Sequence, residues 1–308
     1  MKDMINYYYN LNIESTEDWD NLYIFEWNHN KFYFVPLNRT EKELIDLVEI
    51  SKELKARGLA CHDLILNKFG KFITNIYEAN YILLRPIGDI YEEYDIKDMI
   101  QINNRLLVNP NKRNLYRNSW AKLWSDKIDY FEYQIHELGK DKELILDSFS
   151  YYIGLGENAI SYVNNTNKKY HGNNQDRICL SHRRIKYPNY KLNYLNPLSF
   201  IFDLEVRDIA EYIKSAFFEG VDALSYLRET LKITNFSIYS LELLYARLLY
   251  PTYYFDIYES IMNKGESEEK LIPIIEKADD YEEFLRFAYL EINKYAPIEG
   301  ISWILDKK

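Results

Sequence analysis

The first 57 residues of this 308-residue chain contain no glycine, and the whole chain has only 10. A loop that cradles phosphates with its backbone N–H groups needs glycine for close approach, so no such loop can be drawn there. Cysteine is almost as scarce. Cys61 and Cys179 are too few and too far apart for a disulfide framework or a zinc site, and both read as reduced packing residues. No apolar run approaches the roughly 20 residues of a membrane span, and residues 1–7 lack the apolar segment of a signal peptide. Positive charge is in deficit: 38 Lys and Arg stand against 48 Asp and Glu, a net charge of −10. An acidic surface repels nucleic-acid phosphates and anionic lipids, so neither nucleic acid nor membrane is an expected partner. The expectation is a protein that stays in the cytoplasm where it is made.

What the chain has is a globular composition, 47% apolar and 28% charged, and a length sufficient for one large domain or two lobes. Tyrosine is in excess at 30 residues. An AT-rich coding sequence accounts for that bias; a surface suited to oxidative cross-linking is the sharper reading.

Residues 21–37 predict a strand pair. Asn21 to Trp27 is aromatic and β-branched, Asn28-His29-Asn30 carries turn chemistry, and Lys31 to Val35 returns. Thr40 followed by Glu43 predicts a capping box at a helix start. Leu44, Leu47, Val48 and Leu54 give that helix a buried face, and Gly58 ends it. Two short apolar runs follow, Ile65 to Thr74 and Tyr81 to Leu84, before Arg85-Pro86-Ile87-Gly88 breaks the pattern. Beyond Gly88 the chain reads as mainly helical. Trp120, Leu123, Trp124, Ile128, Phe131, Ile135 and Leu138 form an amphipathic stripe that ends at Gly139 and reads as helix core. A second helix is predicted from Asp141 to Val163, then a polar exposed loop over 164–174, an irregular strand-containing stretch over 177–202, and helix from Asp208 onward. The order predicts an α+β chain, with a strand-rich lobe carrying one main helix over 1–88 and a larger helical lobe over 89–308.

One stretch carries chemistry. Kinase-like phosphotransferases use a loop H-x-D-x-x-x-x-N followed by a strand ending in a metal-binding Asp. Here His182 fits the His, Asn189 the Asn and Asp203 the later Asp, so Asn189 and Asp203 are the candidate magnesium and nucleotide ligands. Arg184 occupies the place of the catalytic Asp. A guanidinium cannot act as a base at ordinary pH, and it sets a fixed positive charge beside any bound metal. In the first lobe Pro36 or Val35 falls where a nucleotide-gripping Lys should stand, Lys31 and Arg39 only flank the strand, and Glu43 or Glu49 matches the helix Glu that would pair with that Lys.

Five segments in order resemble the YutH-type branch of the CotS spore-coat family, which is similar to aminoglycoside phosphotransferases and choline kinase. They are Trp120 to Trp124, Tyr151 to Ile160, the His182 loop, Phe202-Asp203 with Arg207 to Ile213, and Leu244 to Pro251. The match covers about residues 80–262 well and the first lobe poorly. The resemblance implies a two-lobed, protein-kinase-like fold, an endospore-forming source and a role in the coat, with coat proteins as partners. It also implies synthesis in the mother-cell cytoplasm followed by deposition in the coat.

The degenerate loop and the glycine-free first lobe make a pseudokinase the leading expectation. Two alternatives are a Mg-ATP-dependent small-molecule phosphotransferase and a module that binds a nucleotide or small ligand in the inter-lobe cleft without turnover. Quieter roles also fit the same residues. Asp208 with Glu211 reads as a second capping box or as a brace for the loop, His182 as a hydrogen-bonded structural residue, Asn189 as a turn residue, and Asp203 as the ion-pair partner of Arg184.

Overall fold

The computed structural model describes residues 1–19, 22–103, 112–138, 141–170 and 178–306, which fall into two compact units. The first opens with helix α1 (Lys2–Tyr9) and strands β1 (Glu17–Trp19), β2 (Leu22–Trp27) and β3 (Asn30–Pro36). Helix α2 (Glu41–Ala56) and strands β4 (Asp63–Ile65), β5 (Thr74–Ile76) and β6 (Ala79–Arg85) follow. The strands form one antiparallel sheet in the order β1-β2-β3-β6-β4, with β5 also on β6. Both faces of the sheet are apolar, which is why the strands read as continuous aromatic runs rather than alternating ones. Phe25, Phe32, Phe34 and Leu83 pack with Ile5 of α1 on one face. Tyr33, Ile82 and Leu84 pack with Leu44 of α2 on the other.

The hairpin between β2 and β3 turns on two residues, Asn28 (φ 49°) and His29 (φ 60°). A left-handed backbone at both positions matches the twist of the flanking strands, and Asn tolerates it well. The capping box of α2 is present: the Thr40 side chain accepts from the Glu43 N–H, and the Glu43 carboxylate accepts from the Thr40 N–H. Gly58 (φ 73°) closes α2, with its N–H on the Lys55 carbonyl and the Leu59 N–H on that of Leu54, a Schellman pattern. Helix α1 and strand β1 were not expected from sequence. Asn21, at the start of the expected strand, lies outside the described residues.

This unit runs past Gly88 to Tyr94 and takes in Asn189–Phe200 as well as a short segment ending at Leu115. Backbone pairing joins these pieces: Lys191 N–H to Glu92 O, Tyr94 N–H to Asn189 O, and His62 N–H to Leu195 O. Contacts from a hundred residues downstream leave no local signal, so a division at 88 is the most that composition suggests.

The second unit begins with α3 (Ile96–Asn103), α4 (Trp120–Leu138), α5 (Glu143–Lys169) and β7 (Ile178–His182). After α6 (Lys191–Tyr194), which belongs to the first unit, it resumes in β8 (Phe200–Leu204), paired with β7. Helices α7 (Val206–Phe218), α8 (Ala223–Ile233), α9 (Ile238–Leu249), α10 (Thr252–Lys264), α11 (Ile272–Glu276), α12 (Ala278–Asn293) and α13 (Ser302–Leu305) complete it. Helix α5 packs on α4 and α9, and α7 packs on α9. A Cβ on Gly156 would stand 2.8 Å from the Ile128 side chain, so glycine lets α4 lie close to α5.

The segment 164–169, expected as loop, is the last part of α5. Thr166 is buried there, and its hydroxyl reaches the Tyr162 carbonyl and the Glu242 carboxylate. A polar sequence is thus consumed by a polar neighbour that local pattern does not reveal. The rest of that stretch, 171–174, and Gly139 lie outside the described residues. On α4, Trp120, Trp124, Ile128 and Phe131 are buried, while Leu123 is exposed. No described helix is long and apolar enough to cross a membrane.

Candidate functional site

The short β7–β8 ribbon delivers the chemistry-bearing residues of the second unit. His182 ends β7 and Asp203 lies near the end of β8, every residue of which is buried. The chain then turns at once into α7. That helix starts at Val206, so Asp208 sits inside its first turn and not at its cap, and the expected Asp208–Glu211 capping box does not form. Asp208 is buried and grips the loop: its carboxylate accepts the His182 backbone N–H at 3.1 Å and contacts His182 Nδ1 at 2.7 Å. A carboxylate that holds both the backbone and the ring fixes where the loop leaves the strand.

Asp203 is 0% exposed, yet it is fully served. Its Oδ1 accepts the Trp120 indole N–H at 2.8 Å and the Leu204 backbone N–H at 2.8 Å. Its Oδ2 accepts Arg207 Nη1 at 2.6 Å. Arg207 spends its remaining donors on the loop, with Nε to the His182 carbonyl at 3.0 Å and Nη2 to the Arg183 carbonyl at 3.2 Å. One guanidinium therefore ties Asp203 to the end of β7. The planar fork of Arg suits this task, whereas a Lys could not span three acceptors in a plane.

Arg184 does not pair with Asp203. Its guanidinium makes a bidentate bridge to Asp256 of α10, Nε to Oδ2 at 2.7 Å and Nη2 to Oδ1 at 2.5 Å. The physical reason is proximity along the chain: Arg207, on the first turn of α7 and four residues after Asp203 of β8, reaches the buried carboxylate and leaves Arg184 to an acid at the surface. Asn189 belongs to the first unit, where it is buried and its carbonyl accepts the Tyr94 N–H.

Behind Asp203 the charge network continues. Arg247 donates to Glu211 at 2.6 Å and lies over the rings of Trp120 and Trp124, 4.9 and 5.3 Å from their centroids. Trp124 in turn stacks on Tyr250 at 4.1 Å. Burial alone would raise the Glu211 carboxyl, but Lys214, Arg247 and Arg207 hold it well below the usual carboxylate range. Burial pushes the Lys214 ammonium down to about 8 against the pull of Glu211. Lys214 also donates to the Tyr250 carbonyl and the Thr252 hydroxyl.

In the first unit, Lys31 on β3 is exposed and lies 5.5 Å from the Tyr91 ring centroid, whereas the other cation flanking the strand, Arg39, is already engaged. Val35 and Pro36 pair with Ile82 and Tyr81 of β6. The Arg39 side chain is buried, donating to the Leu198 and Phe200 carbonyls and to Glu43. Glu43 thus serves the capping box and Arg39, while Glu49 pairs with Lys112. Lys112 also reaches Asp46, which accepts from Asn114.

Magnesium and a nucleotide would need Asn189 and an accessible oxygen on Asp203. The Asp203 carboxylate does not fit that role as it stands, being sealed from solvent with donors on both oxygens. A hard divalent cation needs open oxygen ligands and keeps several waters.

The residues that sequence reasoning missed are the partners. Trp120 read as helix core, which it is, but its indole N–H is a polar handle that a buried ring must satisfy, and this was the available signal. Arg207 stood inside a recognised motif without an assigned task. Arg247 stood inside the Leu244–Pro251 segment without an assigned task, and nothing in the sequence marks Asp256; both roles depend on helices α9 and α10 packing where they do.

By its fold the protein is of the aminoglycoside-phosphotransferase kind. It is similar to an aminoglycoside phosphotransferase from Alicyclobacillus acidocaldarius subsp. acidocaldarius (TM-score 0.61, 10% identity, covering 96% of this chain and 97% of that one). It is also similar to a spectinomycin phosphotransferase in complex with ADP and spectinomycin (TM-score 0.62, 13% identity, 94% and 97%). The family model described as "Spore coat putative kinase YutH" matches residues 2–288, and the chain belongs to that family. A relative in Bacillus subtilis (strain 168), the endospore coat-associated protein YutH, is 33% identical over 208 residues; the match covers 60% of this chain and 61% of the relative's own length.

Proposed function

We propose that this chain is a pseudokinase of the spore coat, a kinase-like protein that serves as a coat component or coat-assembly factor through contacts with other coat proteins. The observation that carries this reading is the Asp203 carboxylate, buried and bonded by Trp120, the Leu204 N–H and Arg207. Arg184 supports it, since its position offers a permanent cation where a general base is required, and general-base help is typically worth 10²–10⁴-fold in rate. The glycine-free stretch 1–57 supports it from the other unit. The coat assignment rests on the family and on the coat-associated relative.

A phosphotransferase is the second reading, favoured by the His182, Asn189 and Asp203 spacing and by the shared fold. Thermal unfolding of the wild-type protein with ATP at millimolar concentration, with and without magnesium, separates the two. A ligand at 100 times its dissociation constant stabilises a fold by about 2.7 kcal/mol, enough to move the midpoint clearly. The pseudokinase reading expects no magnesium-dependent shift. A magnesium-dependent shift with release of ADP overturns it, and a shift without ADP release makes the protein a nucleotide sensor. A fluorescent fusion expressed in a sporulating host should enrich in the coat fraction; a fusion that stays in the mother-cell cytoplasm removes the coat role.

A further inference from the structure

The first unit contains a cavity of about 820 Å³ that none of the roles above uses. That volume lies in the range of small-molecule sites. The strand register builds one wall. Glu17, Ile24 and Tyr33 are direct partners across β1, β2 and β3, and Glu26 and Lys31 are partners two residues along, hence on the same face. Directly opposed residues present their side chains on the same face of a sheet, so Glu17, Glu26, Lys31 and Tyr33 share the face that borders the cavity. Glu14 and Tyr91 also line it.

We propose that this cavity binds a small organic cation, an amine with an aliphatic body. Three carboxylates and one ammonium line it, so the local formal charge is −2. Among the described residues, Glu14, Glu17 and Glu26 have no ion-pair or hydrogen-bond partner. Tyr33 is the independent observation. It is 3% exposed, it borders the cavity, and among the described residues its hydroxyl has no hydrogen-bond partner. Its oxygen is not sealed in the core but meets the cavity, where a ligand donor can reach it. Burial, with Tyr91 nearby, pushes Tyr33 up to about 12, so the oxygen stays neutral and accepts from an N–H⁺ donor. The ring of Tyr91 already hosts an ammonium, that of Lys31, 5.5 Å from its centroid. The same carboxylates repel a nucleotide phosphate, so the proposal is independent of whether the second unit retains any phosphoryl chemistry.

The test is isothermal titration of the full chain with spermidine at low ionic strength and again at 150 mM salt. Saturable one-to-one binding that weakens with salt is expected. Glu17→Gln/Glu26→Gln should weaken it about tenfold and Tyr33→Phe about threefold. Asp129→Asn/Glu132→Gln, which removes two exposed acids on α4, should leave it unchanged. Absence of saturable heat overturns the proposal. So does binding that is indifferent to Glu17→Gln/Glu26→Gln and Tyr33→Phe, or equal weakening by the α4 pair, which would mark diffuse attraction to an acidic protein.

Discussion

Two groups of carboxylates stand in opposite states. Beside the β7–β8 ribbon, Asp203 occupies a position where metal chemistry was expected and Asp208 one where a brace was expected, and both are buried and engaged by donors. In the first unit, Glu14, Glu17 and Glu26 carry no recognisable motif, yet they line an open cavity and make no ion pair among the described residues. A carboxylate removed from water must be paired or it is not tolerated, so burial and availability exclude one another. The acid that looks functional by spacing is held by structure, and the acids available to a ligand lie where no motif points.

The sharpest way to break this comparison is to unseal Asp203. Arg207→Met leaves a buried carboxylate with its cationic partner gone, and a loss of about 3–5 kcal/mol in urea denaturation is expected. Asp203→Leu/Arg207→Met should recover most of that loss, since removing both partners leaves no uncompensated charge. A single Arg207→Met variant as stable as wild type would mean that Asp203 is not held as described.

A buried histidine in the first unit gives the next largest effect. His62 accepts the Ile87 N–H at Nδ1, so Nε2 carries the proton and donates to the Leu192 carbonyl. Burial lowers its pKa from 6.5 to about 4, and the Leu192 and Lys191 carbonyls offset this only in part. Above pH 6.5 folded and unfolded forms are both neutral and the group is silent. Between 6.5 and 4 only the unfolded form takes the proton, so stability falls as pH drops, by about 3 kcal/mol across the window. Urea midpoints at pH 7 and pH 5 should show the fall, and His62→Gln should flatten it.

Trp120→Phe keeps the ring and removes one donor from Asp203; a cost of about 1–3 kcal/mol is expected from thermal or chemical unfolding. Smallest is Arg184→Ala. Arg184 and Asp256 are 44% and 31% exposed, so the bridge should be worth less than about 1 kcal/mol. Arg184→Asp sharpens the comparison further: restoring an acid at that position should not create magnesium-dependent ATP binding in calorimetry, because Asp203 stays sealed.

Much of this was legible in the chain. The β2–β3 hairpin, the α2 capping box and the Gly58 stop follow from local steric and hydrogen-bonding preferences, which need no distant partner. The α+β order and the spacing of His182, Asn189 and Asp203 were equally plain. Helix α1 was missed because it buries a single residue, Ile5, and offers no long apolar stripe. The polar end of α5 was missed because Glu242, which satisfies Thr166, lies on α9. The start of α7 was placed two residues late because Asp208 has the composition of a cap, and only its distance from His182 shows that it braces the loop.

The sequence by itself determined the α+β order, the β2–β3 hairpin, the capped start of α2, the family resemblance and the loss of an acid at Arg184, since those depend on residue identity and short spacing. Only the tertiary structure decided which charge meets which. Asp203 has Arg207, Trp120 and the Leu204 N–H, while Arg184 has Asp256 and Tyr33 has no partner among the described residues. Pairing of this kind depends on distances of about 3 Å between groups up to 83 residues apart, and local pattern carries no information at that range.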